Sequence, residues 1–149
     1  MEKQTLPTKM RLATEDDIGF IFNSWLKSYR NSYFAKPISN TVYFAEHHKV
    51  IEKLAKTSQI LIACNKEDEA QIYGYVCAEK VDGIFVIHYA YVKQPFRRLG
   101  IAKLLLSSFD HDFSQAAVYT HNTNIGEKLS MKYNLVYHPY LIINVEPGE

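Results

Sequence analysis

The stretch of this chain best equipped for chemistry is Tyr91 to Leu105, YVKQPFRRLGIAKLL. A strand-like run ends at Val92. A short basic turn follows, Arg97-Arg98-Leu99-Gly100, and then a helical pattern begins. The first amides of a helix have no intrahelical partner and point outward, and the helix dipole favours an anion there. Gly100 has no side chain to obstruct a phosphate approaching the backbone, and Arg97 and Arg98 add positive charge. Strand, basic turn, glycine and helix together make an anion cradle suited to a pyrophosphate. On physical grounds alone, the same residues also serve as a solvated turn that caps a helix.

Other chemistries lack their residues. No two of the six glycines are spaced as GxG, and no GxxxxGK[ST], HExxH or GxSxG occurs. This argues against a dinucleotide fold, a P-loop NTPase, a zincin and an α/β-hydrolase. His47 and His48 are adjacent in a helical pattern, about 100° apart, and share no face, so no metal site is expected from them. Cys64 and Cys77 show no CxxC spacing and sit in apolar runs. They read as buried free thiols in a reducing compartment.

The elements that must position the turn follow from periodicity. Met10 to Leu12 reads as a short strand. Thr14 offers a helix N-cap, with Glu15, Asp16 and Asp17 in the first turn. Ile18, Ile21, Phe22, Trp25, Leu26 and Tyr29 then recur at helical spacing, predicting a helix over Glu15–Tyr29. After a loop, a second helix is expected at about Asn40–Lys56. Gln59–Cys64, Ile72–Val81 and Ile84–Val92 read as strands, the last two joined by an Asp82-Gly83 hairpin turn. A helix over Gly100–Phe113, a strand over Ala116–Thr120, a short helix over Asn124–Tyr133 and a strand over Val136–Val145 complete the order βααβββαβαβ. One strand-helix-strand crossover needs a parallel neighbour, so the sheet is expected to be mixed and mostly antiparallel, flanked by helices in an α/β (α+β) fold.

Length and composition bound the rest. The chain has 149 residues and a net charge of +1. It is expected to form a single domain over 1–149, with an ordered core at about 10–145. The charge balance argues against a protein that coats nucleic acid. The N-terminus has no apolar h-region, and no apolar run approaches the ~18 residues of a membrane span. The expected setting is cytoplasmic, with no membrane partner.

Arg97-x-x-Gly100-x-Ala102 resembles the [QR]xxGx[GA] pyrophosphate signature of the GCN5-related N-acetyltransferase (GNAT) superfamily. Tyr91-Val92, Pro95-Phe96, Ile101 and Leu104-Leu105 fit that family too, as does the element order from Met10 to Asn144. The resemblance implies an N-acetyltransferase with acetyl-CoA, or another acyl-CoA, as co-substrate and no metal. The partners it implies are that acyl-CoA and an amine acceptor. It further implies that the strands Ile84–Val92 and Ala116–Thr120 part to admit the acyl-CoA. Backbone groups of Tyr91 and Val92 would bond the pantetheine. The turn Arg97, Arg98, Leu99, Gly100, Ile101 and Ala102 would hold the pyrophosphate, with the amides from Arg98 to Ala102 in contact. Asn122 or Asn124 would match the family's CoA-contacting asparagine. The family often has VxP where this chain has Val92-x-x-Pro95.

Attack of a neutral amine on a thioester needs a base, a polarised carbonyl and an acid for the leaving thiolate. On the same resemblance, His88 stands where many members place a glutamate base, and its reference pKa near 6.5 suits the task. The family's acid is often a tyrosine on the last helix. If Asn134 marks the end of that helix, Ser130 occupies the tyrosine position, with Tyr133 and Tyr137 as alternatives.

The acceptor side is expected to be walled by the aromatic-rich stretch from Phe20 to Phe44. In it Phe20, Phe22, Trp25 and Tyr29 read as core, and Tyr33, Phe34 and Tyr43 are freer to line a pocket. Lys27, Arg30 and Lys36 lie near enough to attract an acidic acceptor. Two other readings compete. One is a nucleobase-modifying relative acting on DNA or RNA, suggested by those aromatics and basic residues but not favoured. The other is a degenerate CoA-binding module, suggested by Ser130 in place of tyrosine. A monomer and a homodimer are both compatible with the sequence.

Overall fold

The computed structural model describes residues 6–32, 35–109, 111–112, 115–121, 123 and 135–138. Strand β1 (Thr8–Leu12) leads through a 3-10 turn, Glu15–Asp17, into helix α1 (Ile18–Tyr29). The α-helix begins three residues later than its acidic first turn suggested. The Asp17 carboxylate accepts from the Thr14 amide at 2.8 Å and from the Arg11 guanidinium at 2.7 and 3.0 Å. That clamp holds the first turn tight. Helix α2 (Asn40–Thr57) starts at Ser39, whose hydroxyl accepts from the Val42 amide at 3.4 Å.

Strands β2 (Gln59–Asn65), β3 (Ile72–Val81) and β4 (Ile84–Val92) fall where the apolar runs placed them. Asp82 and Gly83 both have positive φ, 50° and 82°, as a two-residue hairpin turn demands. Helix α3 (Ile101–Ser107), β5 (Ala117–Tyr119) and β6 (Leu135–Tyr137) follow. Helix α3 is shorter than the Gly100–Phe113 expected. The Ser107 and Ser108 hydroxyls both bond back to the Leu104 carbonyl, and the Ser108 and Phe109 amides reach only three residues back. Serines that back-bond in this way loosen a helix. The helix expected over Asn124–Tyr133 and most of the final strand lie outside the described residues.

The six strands form one mixed sheet in the order β1-β2-β3-β4-β5-β6. Pairing is antiparallel from β1 to β4 and parallel from β4 through β5 to β6. Among the described residues no helix is long and apolar enough to cross a membrane. Alternate strand residues serve opposite faces. On one face Ile60, Ile62, Cys64, Tyr75, Cys77 and Tyr89 pack against α1 and α2 through Ile21, Trp25, Tyr29, Ile51 and Leu54. On the other, Val76, Ala78, Phe85, Ile87, Ala90 and Val92 pack against Ile101, Leu105 and Leu106 of α3.

One irregularity shapes the site. Cys77 pairs with Tyr89 and Ala78 with Ile87, leaving His88 as an extra residue in β4. Such a bulge changes which side chains face which layer. Phe85 and Ile87 face α3, Tyr89 faces the helical pair, and Ala90 and Val92 face α3 again. At the far end of the same hairpin, a Cβ on Gly74 would stand 2.4 Å from the Tyr91 carbonyl oxygen, so β3 approaches β4 there as only glycine permits.

Candidate active site

Two regions meet at the C-terminal end of β4. The first is the basic turn. After Val92 the chain makes a 3-10 turn at Gln94–Phe96, runs extended at Arg97, and turns left-handed at Arg98 (φ 67°) and Gly100 (φ 79°). The Arg97 Nε donates to the Val92 carbonyl at 2.8 Å, tying the turn to the strand. Leu104 is the first residue of α3 to bond back, to the Gly100 carbonyl at 3.0 Å. The amides from Arg98 to Lys103 make no backbone hydrogen bond among the described residues. A Cβ built on Gly100 meets nothing within 4 Å, so the space on that side of Gly100 is open. Successive free amides in a turned backbone form a concavity that binds anions. Arg97, Arg98, Leu99, Gly100, Ile101 and Ala102 thus stand together as the sequence placed them, and the residues fit a pyrophosphate.

The second region is the edge of β4. Strands β4 and β5 pair only at Val86 with Val118 and Ile87 with Tyr119, and one further bond runs from the Thr120 amide to the Ile87 carbonyl at 3.0 Å. Among the described residues, β4 beyond that point continues to Val92 paired with β3 alone. The parallel strands therefore part at His88, and the edge of β4 that includes Tyr91 and Val92 is left free of β5. The Tyr91 ring packs at 6.2 Å from Phe20 and 5.6 Å from Tyr75, and the Val92 side chain is buried towards α3. Side chains thus anchor this edge from both faces while its backbone lines the parting.

His88 sits where the strands separate. It is only 1% exposed, and both ring nitrogens are engaged: Nδ1 lies 3.0 Å from the Thr120 hydroxyl and Nε2 lies 2.5 Å from Glu79 Oε2. The same Glu79 oxygen accepts from Ser58 at 3.1 Å and Thr57 at 3.2 Å. The hydrogen bond from His88, helped by those hydroxyls, holds the Glu79 carboxyl below the usual carboxylate range despite its partial burial. Thr120 also lies 3.0 Å from His121 Nδ1, and His121 Nε2 lies 3.1 Å from His47 Nε2. Burial pushes His47 down to about 4, and burial first, then the nearby His47 and His88, drives His121 well below the ordinary histidine value. Tyr29 and Tyr43 stack on His47, and Trp25 stacks on Tyr89 at 4.6 Å with His121 edge-on to both. Among the described residues no group of three or more His, Cys, Asp or Glu is arranged to hold a metal.

His47 also lines a cavity of about 190 Å³, with Ile38, Val42, Tyr43, Glu46 and Val50. Tyr43 lines it as expected, although its hydroxyl is committed to the Leu26 carbonyl at 2.6 Å. Arg30 is not free to attract an acceptor. Its guanidinium binds Asn40 at 2.8 Å and the Ala35 and Ile38 carbonyls at 2.7 Å, and so it fastens the loop between α1 and α2. Tyr33, Phe34, Asn122, Asn124, Ser130 and Tyr133 lie outside the described residues. Tyr137 is on β6, 5.4 Å from the Tyr119 ring.

Sequence reasoning missed Glu79, Thr120, His121 and the inward turn of His47. Glu79 carried a signal. The Asp82-Gly83 turn pairs Glu79 with Val86, which puts Glu79 and His88 two positions out of register on one face. Nothing local marks Thr120 or His121, since the partner of each comes from a distant element.

No family model and no curated protein matches this sequence. Solved structures do. A Pyrococcus furiosus protein assigned as an acetyl transferase aligns over 95% of this chain and 85% of its own, with a TM-score of 0.53 and 19% identity. A Corynebacterium glutamicum structure named histone acetyltransferase HPA2 and related acetyltransferase aligns over 68% of both chains, with a TM-score of 0.52 and 14% identity. The chain spans 61% of the length of a GNAT-family acetyltransferase from Staphylococcus aureus, over 67% of its own, with a TM-score of 0.48 and 18% identity. At these identities the likeness shows the fold.

Proposed function

We propose, from a chain with the fold of the GCN5-related N-acetyltransferases, that it is a CoA-dependent N-acyltransferase, acting on a primary amine by direct attack on an acyl thioester. The observation that carries this reading is the parting of β4 and β5 at His88, directly before a turn whose amides stand free. A parting of parallel strands next to an anion cradle suits a long ligand with a thioester at one end and a pyrophosphate near the other.

In this reading Tyr91 and Val92 bond the pantetheine through their backbone, and the amides from Arg98 to Ala102 hold the pyrophosphate. Arg97 and Arg98 contribute charge, and Asn122 or Asn124 contacts the CoA. Bound there, acyl-CoA supplies an activated acyl group, with acetyl the first choice. His88 serves as the base, but its filled valences mean that it acts through a neighbour rather than by contact with the acceptor. Ser130 contributes a hydrogen bond to the sulfur. The engagement of Arg30 with its own loop removes one support of the nucleobase reading.

Acetyl-CoA should stabilise the protein by ~2.7 kcal/mol at a hundredfold excess over Kd, since it binds only the folded state. Differential scanning fluorimetry reads this as a rise in Tm. Gly100→Glu should abolish the rise, because its carboxylate crowds and repels the phosphates. A wild-type Tm that millimolar acetyl-CoA leaves unmoved sinks the proposal.

A further inference from the structure

The residues from Glu79 to His47 form a continuous line of hydrogen bonds across the buried face of the sheet: Glu79, His88, Thr120, His121, His47. Each link lies between 2.5 and 3.1 Å. Its two ends differ. Glu79 reaches the surface, with its side chain 18% exposed, and His47 lines the cavity beside α2. Such a line is costly to bury unless every member is satisfied.

The carboxylate at one end sets the direction of the first bond. Glu79 is ionised and can only accept, so His88 donates from Nε2. For a proton to be taken up at the far end of the line, His88 Nδ1 must accept from the Thr120 hydroxyl at 3.0 Å, a shorter contact than the 3.5 Å from that hydroxyl to the His88 carbonyl. Having given its proton to His88, Thr120 accepts from His121 Nδ1–H. His121 Nε2 is then bare and accepts from His47 Nε2–H. His47 is left with an unprotonated Nδ1, the one basic atom of the line with no partner among the described residues. Neutral His47 and His121 agree with the burial that depresses both.

We propose that these five residues are a proton relay that opens on the cavity and deprotonates an amine held there, with His47 Nδ1 as the group that meets the acceptor. The proposal rests on the acyltransferase reading and supplies its acceptor side. A proton taken at Nδ1 releases the Nε2 proton of His47 to His121 Nε2. His121 passes its Nδ1 proton to Thr120, and Thr120 passes its own to His88 Nδ1. One proton has entered, every tautomer has reversed, and the positive charge rests on His88 against the Glu79 carboxylate. His47 cannot keep the charge itself, because its surroundings resist ionisation. The phenols around it stay neutral, since burial raises Tyr29, Tyr43 and Tyr89 above the ordinary phenol value. The cavity walls of Ile38, Val42, Val50 and the Tyr43 ring, with Glu46 as the one anion, suit a small apolar ammonium ion.

The test uses the whole protein, acetyl-CoA and 2-phenylethylamine. Thr120→Val removes the central hydroxyl without changing shape and should lower kcat roughly 10²-fold, the low end of a general-base contribution, leaving the KM for acetyl-CoA unchanged. Thr120→Ser should restore most of the rate, which a packing role for the threonine methyl would not. Imidazole nitrogen shifts measured by NMR on the unliganded protein should show protons on His88 Nε2, His121 Nδ1 and His47 Nε2. A Thr120→Val enzyme with wild-type kcat, or a His121 protonated at Nε2 in the resting state, overturns the relay. Acetyl-CoA that binds with no turnover of 2-phenylethylamine overturns the acceptor assignment, whereas acetyl-CoA that fails to bind overturns the acyltransferase reading itself.

Discussion

The two faces of the sheet are built by opposite rules. Against α3 the contacts are nearly all aliphatic or phenyl: Val76, Ala78, Phe85, Ile87, Leu105 and Leu106. On the side of α1 and α2 the molecule buries His88 of β4 and, directly after β5, Thr120 and His121, with Trp25, Tyr29 and Tyr89 close by. An aliphatic face stabilises by area removed from water, at roughly 25 cal/mol per Å². A polar buried face adds little net stability, because its hydrogen bonds replace bonds to water. The difference teaches that the α3 face holds the basic turn in place, whereas the helical-pair face buries the hydrogen-bonded groups on which the proposed chemistry depends.

The largest expected effect breaks the comparison most directly. His88→Gln should lower turnover by roughly 10²–10⁴, the range of general-base catalysis, with a smaller cost to stability. Steady-state rates of CoA release beside a denaturant titration check this. A variant that unfolds but keeps its turnover per folded molecule would make His88 a core residue and the two faces alike.

Leu105→Ala should do the reverse. Leu105 is fully buried, and the cavity left behind should cost ~2–5 kcal/mol of stability. Turnover per folded molecule should hold, because no polar link is touched. Urea unfolding reads the first quantity and active-site titration the second. A fall in kcat as large as that of His88→Gln would mean that the α3 face participates in the chemistry.

The faces should also respond differently to acid. Burial lowers His47 from 6.5 to about 4, so its folded pKa lies below its unfolded one. The unfolded chain then binds more protons in that window, and stability rises with pH across it. The contribution is present above pH 6.5 and is lost as pH falls through 4, up to about 3 kcal/mol at 1.36 kcal/mol per unit. His121 shifts in the same direction. Urea midpoints at pH 7 and pH 5 should differ for the wild type, and the difference should shrink in His47→Gln. An unchanged difference would place the acid sensitivity elsewhere.

The same contrast explains what could be read in advance. The basic turn is contiguous in sequence, so a strand ending at Val92, a glycine at position 100 and the helix that follows marked it. The hairpin was equally local, since Asp82-Gly83 sets its own register. The relay draws on β3, β4, α2 and the end of β5, and its links span up to 74 residues. Only the register of the hairpin joined two of its members. The bulge at His88 had no local mark, although it decides which face the histidine serves. Helix α3 was overextended because apolar spacing persists through Phe109, while Ser107 and Ser108 end the helix by hydrogen bonding rather than by a glycine or proline.

The smallest expected effect sharpens the account of the cradle. Arg98 is left-handed at φ 67°, a conformation that costs a non-glycine residue ~1–2 kcal/mol. Arg98→Gly removes that strain, but it adds ~0.5–1 kcal/mol of unfolded-chain entropy. Stability should therefore stay level or rise by at most about 1.5 kcal/mol. Arg98→Ala keeps the strain and loses the same charge, so it should be the less stable of the two. If free amides hold the phosphates, both variants should lose less than about tenfold in acetyl-CoA affinity, since an exposed charge pair contributes ~0.2–1 kcal/mol, and both should bind with a weaker dependence on salt. Isothermal titration at two salt concentrations measures this. Equal stability of the two variants would show that the turn is not strained at Arg98. Loss of binding in both would show that the arginine's charge, rather than the backbone, retains the phosphates, and the open space at Gly100 would then be incidental to binding.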